Sequence, residues 1–191
     1  LRYDVFIIEL GCSGAMVDHV AGLERDRFDD FADHIVRGDA SQPSGRHVVG
    51  VYRVMQQEHA QAAGQFYSED EYDLDLLRAS GRKLLELGRS CLHADYRGGA
   101  AMVVLWNALA DYIAEHEVDL LFGVASFHGT DVAALAPAFS LLHDRHLAPD
   151  PLRVRARGAS FQRLDLIPPA GIIRPAAMRG VPALIKAYLK L

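Results

Sequence analysis

The sequence is poor in cysteine. Cys12 and Cys91 are the two it has in 191 residues, and they form no C-x-x-C pair. Two such thiols cannot build a disulfide framework, and they read as buried small side chains in a reducing compartment. Tryptophan is scarcer still, with Trp106 alone. No apolar run approaches the roughly 18 residues that a membrane span needs, and no charged-then-apolar signal segment opens the chain. Basic residues are in deficit: 20 Lys plus Arg against 25 Asp plus Glu give a net charge of −5. That balance speaks against a non-specific nucleic-acid binder, which needs a surplus of cations to release counterions.

Missing motifs narrow the chemistry further. Nine histidines include no H-x-x-x-H or H-E-x-x-H spacing. His143 and His146 stand at i and i+3 with no third ligand in view, so no metal site is expected. Ser126-Phe127-His128-Gly129-Thr130-Asp131 groups Ser, His and Asp but lacks the G-x-S-x-G frame of a nucleophile elbow. Ser126 and His128 read instead as a strand-to-helix turn lining a pocket.

What is present is ordinary globular material: 50% apolar residues and 24% charged ones, enough to bury a sizeable core. One domain over residues 1–191 is expected, trimmed at both ends, because the chain opens on Leu1-Arg2 and closes inside an apolar periodic run. Residues 1–10 suit the end of a helix. Residues 24–34 are an acid-dense loop carrying Asp26, Asp29, Asp30 and Asp33, and residues 37–46 read as a turn. HVVGVYRVM, residues 47–55, is β-branched and apolar on both faces, a central strand with Arg53 near its end. Residues 83–96 look like a second central strand, with a bulge at Gly88. The clearest helix spans residues 100–116, where Met102, Leu105, Trp106, Leu109, Tyr112 and Ile113 follow helical spacing. Residues 119–125 read as a buried strand, and Asp131 caps a helix over 131–146. Residues 152–157 alternate with period two, and 161–167 are their expected partner. A last amphipathic helix carries Val181, Leu184, Ile185, Tyr188 and Leu189. Strands and helices alternate around two central strands, so the fold class is α/β or α+β, a mixed twisted sheet flanked by helices.

Three features carry chemistry. The segment Ser90 to Leu109 is a strand, a glycine turn and a helix, and such a turn presents backbone N–H groups and a positive dipole end to an anion; a plain β-turn-α connection has the same pattern. Glu86-Leu87-Gly88-Arg89 lies just before it. A regular strand would point Glu86 and Arg89 to opposite faces, whereas a bulge brings both to one side. A partly desolvated carboxylate there can take a proton from an amine nucleophile, and a salt-bridged strand pair is the alternative. Arg153, Arg155 and Arg157 fall on one strand face in a basic C-terminal third. That asymmetry suits an acidic partner protein or an anionic membrane surface, or an edge strand protected by charge.

The order of elements resembles the GNAT acyltransferase superfamily. The turn Arg97-Gly98-Gly99-Ala100-Ala101-Met102 keeps the Arg of the GNAT phosphate motif but puts Ala100 and Met102 where the motif has small residues, a departure from ordinary acetyl-CoA binding. A closer resemblance is carried by LRYDVFIIELG, ERDRFDDFADH, VVGVYRVM, FYSEDEYDL, ELGRSCLHADYRGG, GVASFHGTD and the PALIKAYL ending. Together these resemble bacterial L-ornithine Nα-acyltransferases, which make lyso-ornithine lipid from a 3-hydroxyacyl acyl carrier protein. The related N-acyl-homoserine-lactone synthases share Arg2 and Phe6, the D-x-x-D stretch, Arg53 and the E-x-x-R pair, but carry a Trp in the early loop that is absent here.

The resemblance implies direct transfer from the phosphopantetheine arm of acyl carrier protein, with a CoA thioester as the alternative donor and no permanently bound cofactor. Glu86 would be the base, with Arg89 beside it. An amide near Leu92 or His93 would face the oxyanion, and Arg97 with the amides of Gly98, Gly99 and Ala100 would hold the phosphate. Asp29, Asp30 or Asp33 would pair with the side-chain ammonium of ornithine, and Arg53 or Arg89 with its carboxylate. Arg153, Arg155 and Arg157 would face the acidic carrier, and the lipid product makes attachment to the inner membrane surface an expectation. The other readings are a lactone-synthase-like enzyme, an acetyl-CoA-dependent N-acetyltransferase of another amine, and a non-catalytic acyl-binding module.

Overall fold

The computed structural model describes residues 7–10, 26–43, 48–97, 100–158 and 161–190. The chain divides into two compact units, one of Gly14–Tyr67 with Arg82–Gly123, the other of Leu1–Ser13, Ser68–Gly81 and Val124–Leu191.

The first unit is built on a four-stranded sheet in the order β2-β3-β5-β6, where β2 is Asp33–Gly38, β3 Val48–Gln56, β5 Leu84–Leu92 and β6 Leu120–Phe122. β3 runs antiparallel to both β2 and β5, and β6 is parallel to β5. Helix α1 (Gln57–Ala63) follows β3, and α3 (Ala101–Glu115) follows β5. α3 buries Leu105, Leu109 and Ile113, one stripe at helical spacing. Gly50 lets it approach: a Cβ there would stand 2.8 Å from a Leu105 methyl and 2.9 Å from a Leu92 methyl.

The second unit contains a parallel pair, β1 (Ile7–Leu10) with β7 (Val124–Phe127), and a short antiparallel pair, β4 (Tyr72–Asp73) with β8 (Arg155–Ala156). Its helices are α2 (Asp75–Ala79), α4 (Val132–His146), α5 (Arg174–Gly180) and α6 (Ala183–Tyr188). Phe127, Phe139, Leu142, Val181 and Ile185 form its core. Asp131 caps α4 by accepting the N–H groups of Ala133 and Ala134, as its position predicts. Ser140 is buried and ties in the following segment, donating to the Leu164 carbonyl and accepting from the amides of Leu166 and Ile167.

Several expectations are corrected. Residues 7–10 form a strand, not a helix end; a short apolar run has no decisive period, and the pairing with Val124–Phe127 settles it. β2 occupies a segment read as acidic loop and turn. It is an edge strand with mostly exposed side chains, so no apolar alternation announces it. The run 119–125 is two strands, because on either side of Gly123 the chain pairs differently: β6 with β5 and β7 with β1. The strand over 152–157 shrinks to Arg155–Ala156, and its partner is Tyr72–Asp73 instead of 161–167.

Candidate active site

Alternation along β3 sends Gly50, Tyr52, Val54 and Gln56 toward α3 and Arg53 to the opposite face. That opposite face is ionic yet dry. Arg53 is 3% exposed, and a buried guanidinium persists only where it is paired. Its Nη1 donates to both oxygens of Asp26 (2.7 and 2.8 Å) and to Asp29 Oδ1 (2.8 Å). Asp26 and Asp29 belong to a tight turn before β2 that holds its own shape. The Asp26 carboxylate accepts the Phe28 amide, and the Asp29 carboxylate accepts the Asp26 amide. Burial pushes both carboxyls up, but the hydrogen bonds and charge of Arg53 outweigh it, with amide donors adding to each and Arg89 to Asp26, and both end below their ordinary value. The turn drops Phe28 into the cluster, with the Arg53 guanidinium 5.8 Å from its ring centre and the Tyr67 ring edge-on at 5.6 Å.

β5 supplies the rest. Glu86 lies opposite Met55 and Gly88 opposite Arg53, so the Glu86 side chain shares the Arg53 face. It is 3% exposed, lies opposite Phe122 of β6, and accepts the Tyr67 N–H at 2.8 Å. Phe66 and Phe122 stack edge-to-face beside it. The expected bulge is present: Val51 pairs Cys91 and Arg53 pairs Gly88, leaving Arg89 and Ser90 opposite Tyr52 alone. The residue that takes the left-handed backbone is Arg89, at φ 45°, beside the glycine. This turns Arg89 to the Arg53 face, where its Nη2 donates to Asp26 Oδ2 at 2.8 Å. Glu86, Arg89, Arg53, Asp26 and Asp29 therefore share one side of one sheet.

The ladder between β5 and β6 ends at Glu86 and Phe122. Gly123 follows so closely that a Cβ would lie 2.3 Å from the Leu87 carbonyl oxygen. Beyond that point, among the described residues, β5 is paired on its β3 side alone. The His93 amide donates to the Val49 carbonyl at 2.8 Å, so His93 is corrected as an oxyanion donor: its N–H is spent in the sheet. Antiparallel ladders alternate, and the Leu92 amide, one residue earlier, points to the opposite, unpaired edge. A 3-10 turn, Ala94–Tyr96, leads on to Arg97, whose Nε donates to the Leu92 carbonyl. Ala100 caps α3 without a side-chain acceptor, and the first-turn amides of a helix are a site for an anion.

Asp30 is exposed. Asp33 falls on the α3 face, where it accepts the Tyr112 hydroxyl at 2.7 Å; burial and this bond push the Tyr112 hydroxyl up. β2 begins at Asp33, and its pairing with Val54 turns the Asp33 side chain away from the Arg53 face, so it is not part of the cluster that holds Asp29. Ser126 and His128 belong to the second unit, Ser126 opposite Glu9 and His128 exposed after β7. Arg153, Arg155 and Arg157 do not share a strand face. Arg153 pairs with Asp150 and the Ala148 carbonyl, and Arg155 lies opposite Asp73, so acid interrupts the basic stripe. Arg2, Phe6, Gly98 and Gly99 lie outside the described residues. The amide and ring of Tyr67 carry no signal in the sequence, since an aromatic before an acid run has no periodicity to flag it.

Residues 1–107 match the model of the acetyltransferase (GNAT) domain. An L-ornithine N(alpha)-acyltransferase of Rhodobacter capsulatus is 56% identical over all of this chain and 74% of its own length. One of Brucella abortus is 40% identical over all of this chain and 69% of its own. The chain belongs to the L-ornithine Nα-acyltransferase family. A third relative of that name, from Rhizobium meliloti, is 34% identical. No solved structure matches. The resemblance carried by the sequence blocks therefore holds, as does the mixed α/β GNAT class. Within this family frame, Glu86 and Arg89 of β5, Arg53 of β3 and the turn bearing Asp26 and Asp29 meet on one face of the sheet, and the Arg97 turn follows β5. No described helix is long and apolar enough to cross a membrane.

Proposed function

We propose that this chain transfers a 3-hydroxyacyl group from acyl carrier protein to the α-amine of L-ornithine, giving lyso-ornithine lipid. The acceptor follows the names of relatives whose matches span the whole chain. One observation supports the chemistry most: a buried carboxylate, Glu86, on the ionic face of a bulged strand whose other edge, past Glu86, is unpaired among the described residues.

In this reading the α-ammonium gives a proton to Glu86, whose carboxylate is held by the Tyr67 amide. The freed amine attacks the thioester carbonyl. The Leu92 amide stabilises the oxyanion. The C–N bond forms and the C–S bond breaks; the attacking nitrogen gives up its second proton, which leaves on the phosphopantetheine sulfur as the thiol, and Glu86 returns its own proton to solvent. Arg97 and the amides that open α3 hold the donor phosphate. Arg89, which holds Asp26 with one nitrogen, receives the ornithine carboxylate, while Arg53 is the buried post that keeps Asp26 and Asp29 in place. The exposed Arg155 and Arg157 are the surface offered to the acidic carrier. The amphiphilic product fits work at the inner membrane surface.

The test uses the full-length protein with 3-hydroxyacyl carrier protein and ornithine, and separately with acetyl-CoA and ornithine, read by mass spectrometry. Nα-acyl-ornithine from the carrier donor is expected. Product from acetyl-CoA alone overturns the donor, and an acylated amine other than ornithine overturns the acceptor.

A further inference from the structure

One polar bond at the turn after β5 is left unused by the mechanism above. The 3-10 turn Ala94–Tyr96 is closed locally by the Tyr96 amide on the His93 carbonyl and the Arg97 amide on the Ala94 carbonyl. Those bonds fix the turn's curl but not where it stands relative to the sheet. Tyr96 supplies that second constraint. Its hydroxyl donates to Asp39, which stands just past the end of β2, 57 residues earlier in the chain. The same Asp39 carboxylate gathers the amide of Ser41 at 2.9 Å and its hydroxyl at 2.7 Å, and Gln42 Nε2 donates to the Tyr96 oxygen at 3.3 Å. The His93 ring packs edge-on to the Tyr96 ring. A phenol bonded to a carboxylate is a charge-assisted bond, short and directional. The bond holds Asp39 well down at about 2 and pushes the Tyr96 hydroxyl up.

The position matters more than the strength. Arg97 is the next residue, and its Nε is on the Leu92 carbonyl at 3.1 Å. Ala100, the cap of α3, is four residues on. A tether on Tyr96 therefore fixes the height of the Arg97 guanidinium and of the helix amides over the edge of β5.

We propose that Tyr96 and Asp39 form a latch that positions the Arg97 turn to receive the phosphate of the acyl donor. Both are positioning residues and neither touches the reacting atoms. The latch rests on the reading above that this turn holds the donor phosphate. Its signature is a rise in KM for the donor, with kcat and the KM for ornithine little changed, because the base and the ionic cluster sit elsewhere on β5 and β3.

The experiment is steady-state kinetics of the full-length protein with 3-hydroxyacyl carrier protein and ornithine, each varied in turn. Tyr96→Phe and Asp39→Ala are each expected to raise the donor KM by about 5- to 20-fold, part of what a hydrogen bond to a charged group contributes. The double variant should be no worse than either single one, since both break the same bond. Asp39→Asn, which keeps a carbonyl to accept the phenol, should recover most of the wild-type KM. Loss of kcat with an unchanged donor KM, or additive effects in the double variant, overturns the latch. Arg97→Ala separates the two layers. If it raises the donor KM and Tyr96→Phe does not, the latch alone fails; if it leaves the donor KM unchanged, the phosphate reading fails and the latch with it.

Discussion

The two faces of β3 and β5 come from the same eighteen residues and obey opposite rules. Toward α3 the strands present Gly50, Tyr52, Val54, Leu85 and Leu92, and the helix answers with Leu105 and Leu109. That face is held by apolar burial, about 1.5–3 kcal/mol for each large side chain. The other face presents Arg53, Glu86 and Arg89 to a turn bearing Asp26 and Asp29. It is just as dry at Arg53 and Glu86, but apolar packing cannot explain a charge that water would solvate better. A sheet that spends one face on stability and the other on buried, paired charge is separating folding from chemistry within one pair of strands.

The sharpest break of that comparison sets Glu86→Gln against Leu105→Ala. Glu86→Gln should lower kcat by roughly 10²–10⁴-fold if the carboxylate is the base, with a thermal midpoint close to wild type. Leu105→Ala should cost about 2–5 kcal/mol of stability while leaving kcat per folded molecule nearly intact. Steady-state kinetics beside thermal unfolding reads both; a full-rate Glu86→Gln protein would remove Glu86 from the mechanism. Next comes Arg53→Met, which takes from Asp29 its guanidinium and leaves Asp26 with Arg89 alone, and should cost about 3 kcal/mol, measured by urea unfolding. Acid makes the same point in the intact protein. Both carboxyls are depressed in the folded state, so their contribution is present above the unfolded value of 3.8 and is lost as pH falls through the lower folded values. Wild type should therefore lose thermal stability below about pH 3.8 more steeply than Asp26→Asn, which has already lost that charge; parallel acid curves would count against the network.

The two faces also differ in how legibly they are written. The α3 face announces itself through period: the helix stripe and the apolar strands are local patterns, and the strand over 47–55 and the helix over 100–116 come out nearly where expected. The ionic face does not, because its members lie far apart in sequence and no spacing reports that Asp26 reaches Arg53 and Arg89. Family resemblance named Arg53, Glu86 and Arg89, and the bulge at Gly88 was legible from the glycine itself. What period could not decide was which acids join them. Asp33 fits the acid pattern as well as Asp29 does, yet β2 begins at Asp33 and turns it to the α3 side, onto Tyr112. β2 itself was hidden because an edge strand needs no apolar alternation.

A smaller test sharpens the apolar face. Gly50→Ala places a methyl 2.8 and 2.9 Å from two leucine methyls, and the overpacking should cost about 1–3 kcal/mol, readable as a lower urea midpoint. The leucine methyls are ends of flexible side chains, so the cost belongs at the lower end, and a neutral outcome would mean that α3 shifts outward freely.

The smallest effect isolates the bend that joins chemistry to fold. Arg89 holds a left-handed backbone at φ 45°, which an L side chain adopts at a cost of about 1–2 kcal/mol and glycine without it. Arg89→Ala and Arg89→Gly both delete the bond to Asp26, so they lose the same electrostatics. They differ in backbone strain: Ala keeps the Cβ that disfavours this conformation, and Gly removes it. Against that, Gly gains entropy in the unfolded chain, worth roughly 0.4–1 kcal/mol. The strain is the larger of the two, so the Gly variant should unfold at a higher urea concentration than the Ala variant, by about 0.5–1 kcal/mol in stability. An Ala variant as stable as the Gly variant would mean that the bulge relaxes once the guanidinium is gone. In that case the bond to Asp26 imposes the left-handed turn, and Gly88 beside it merely permits it.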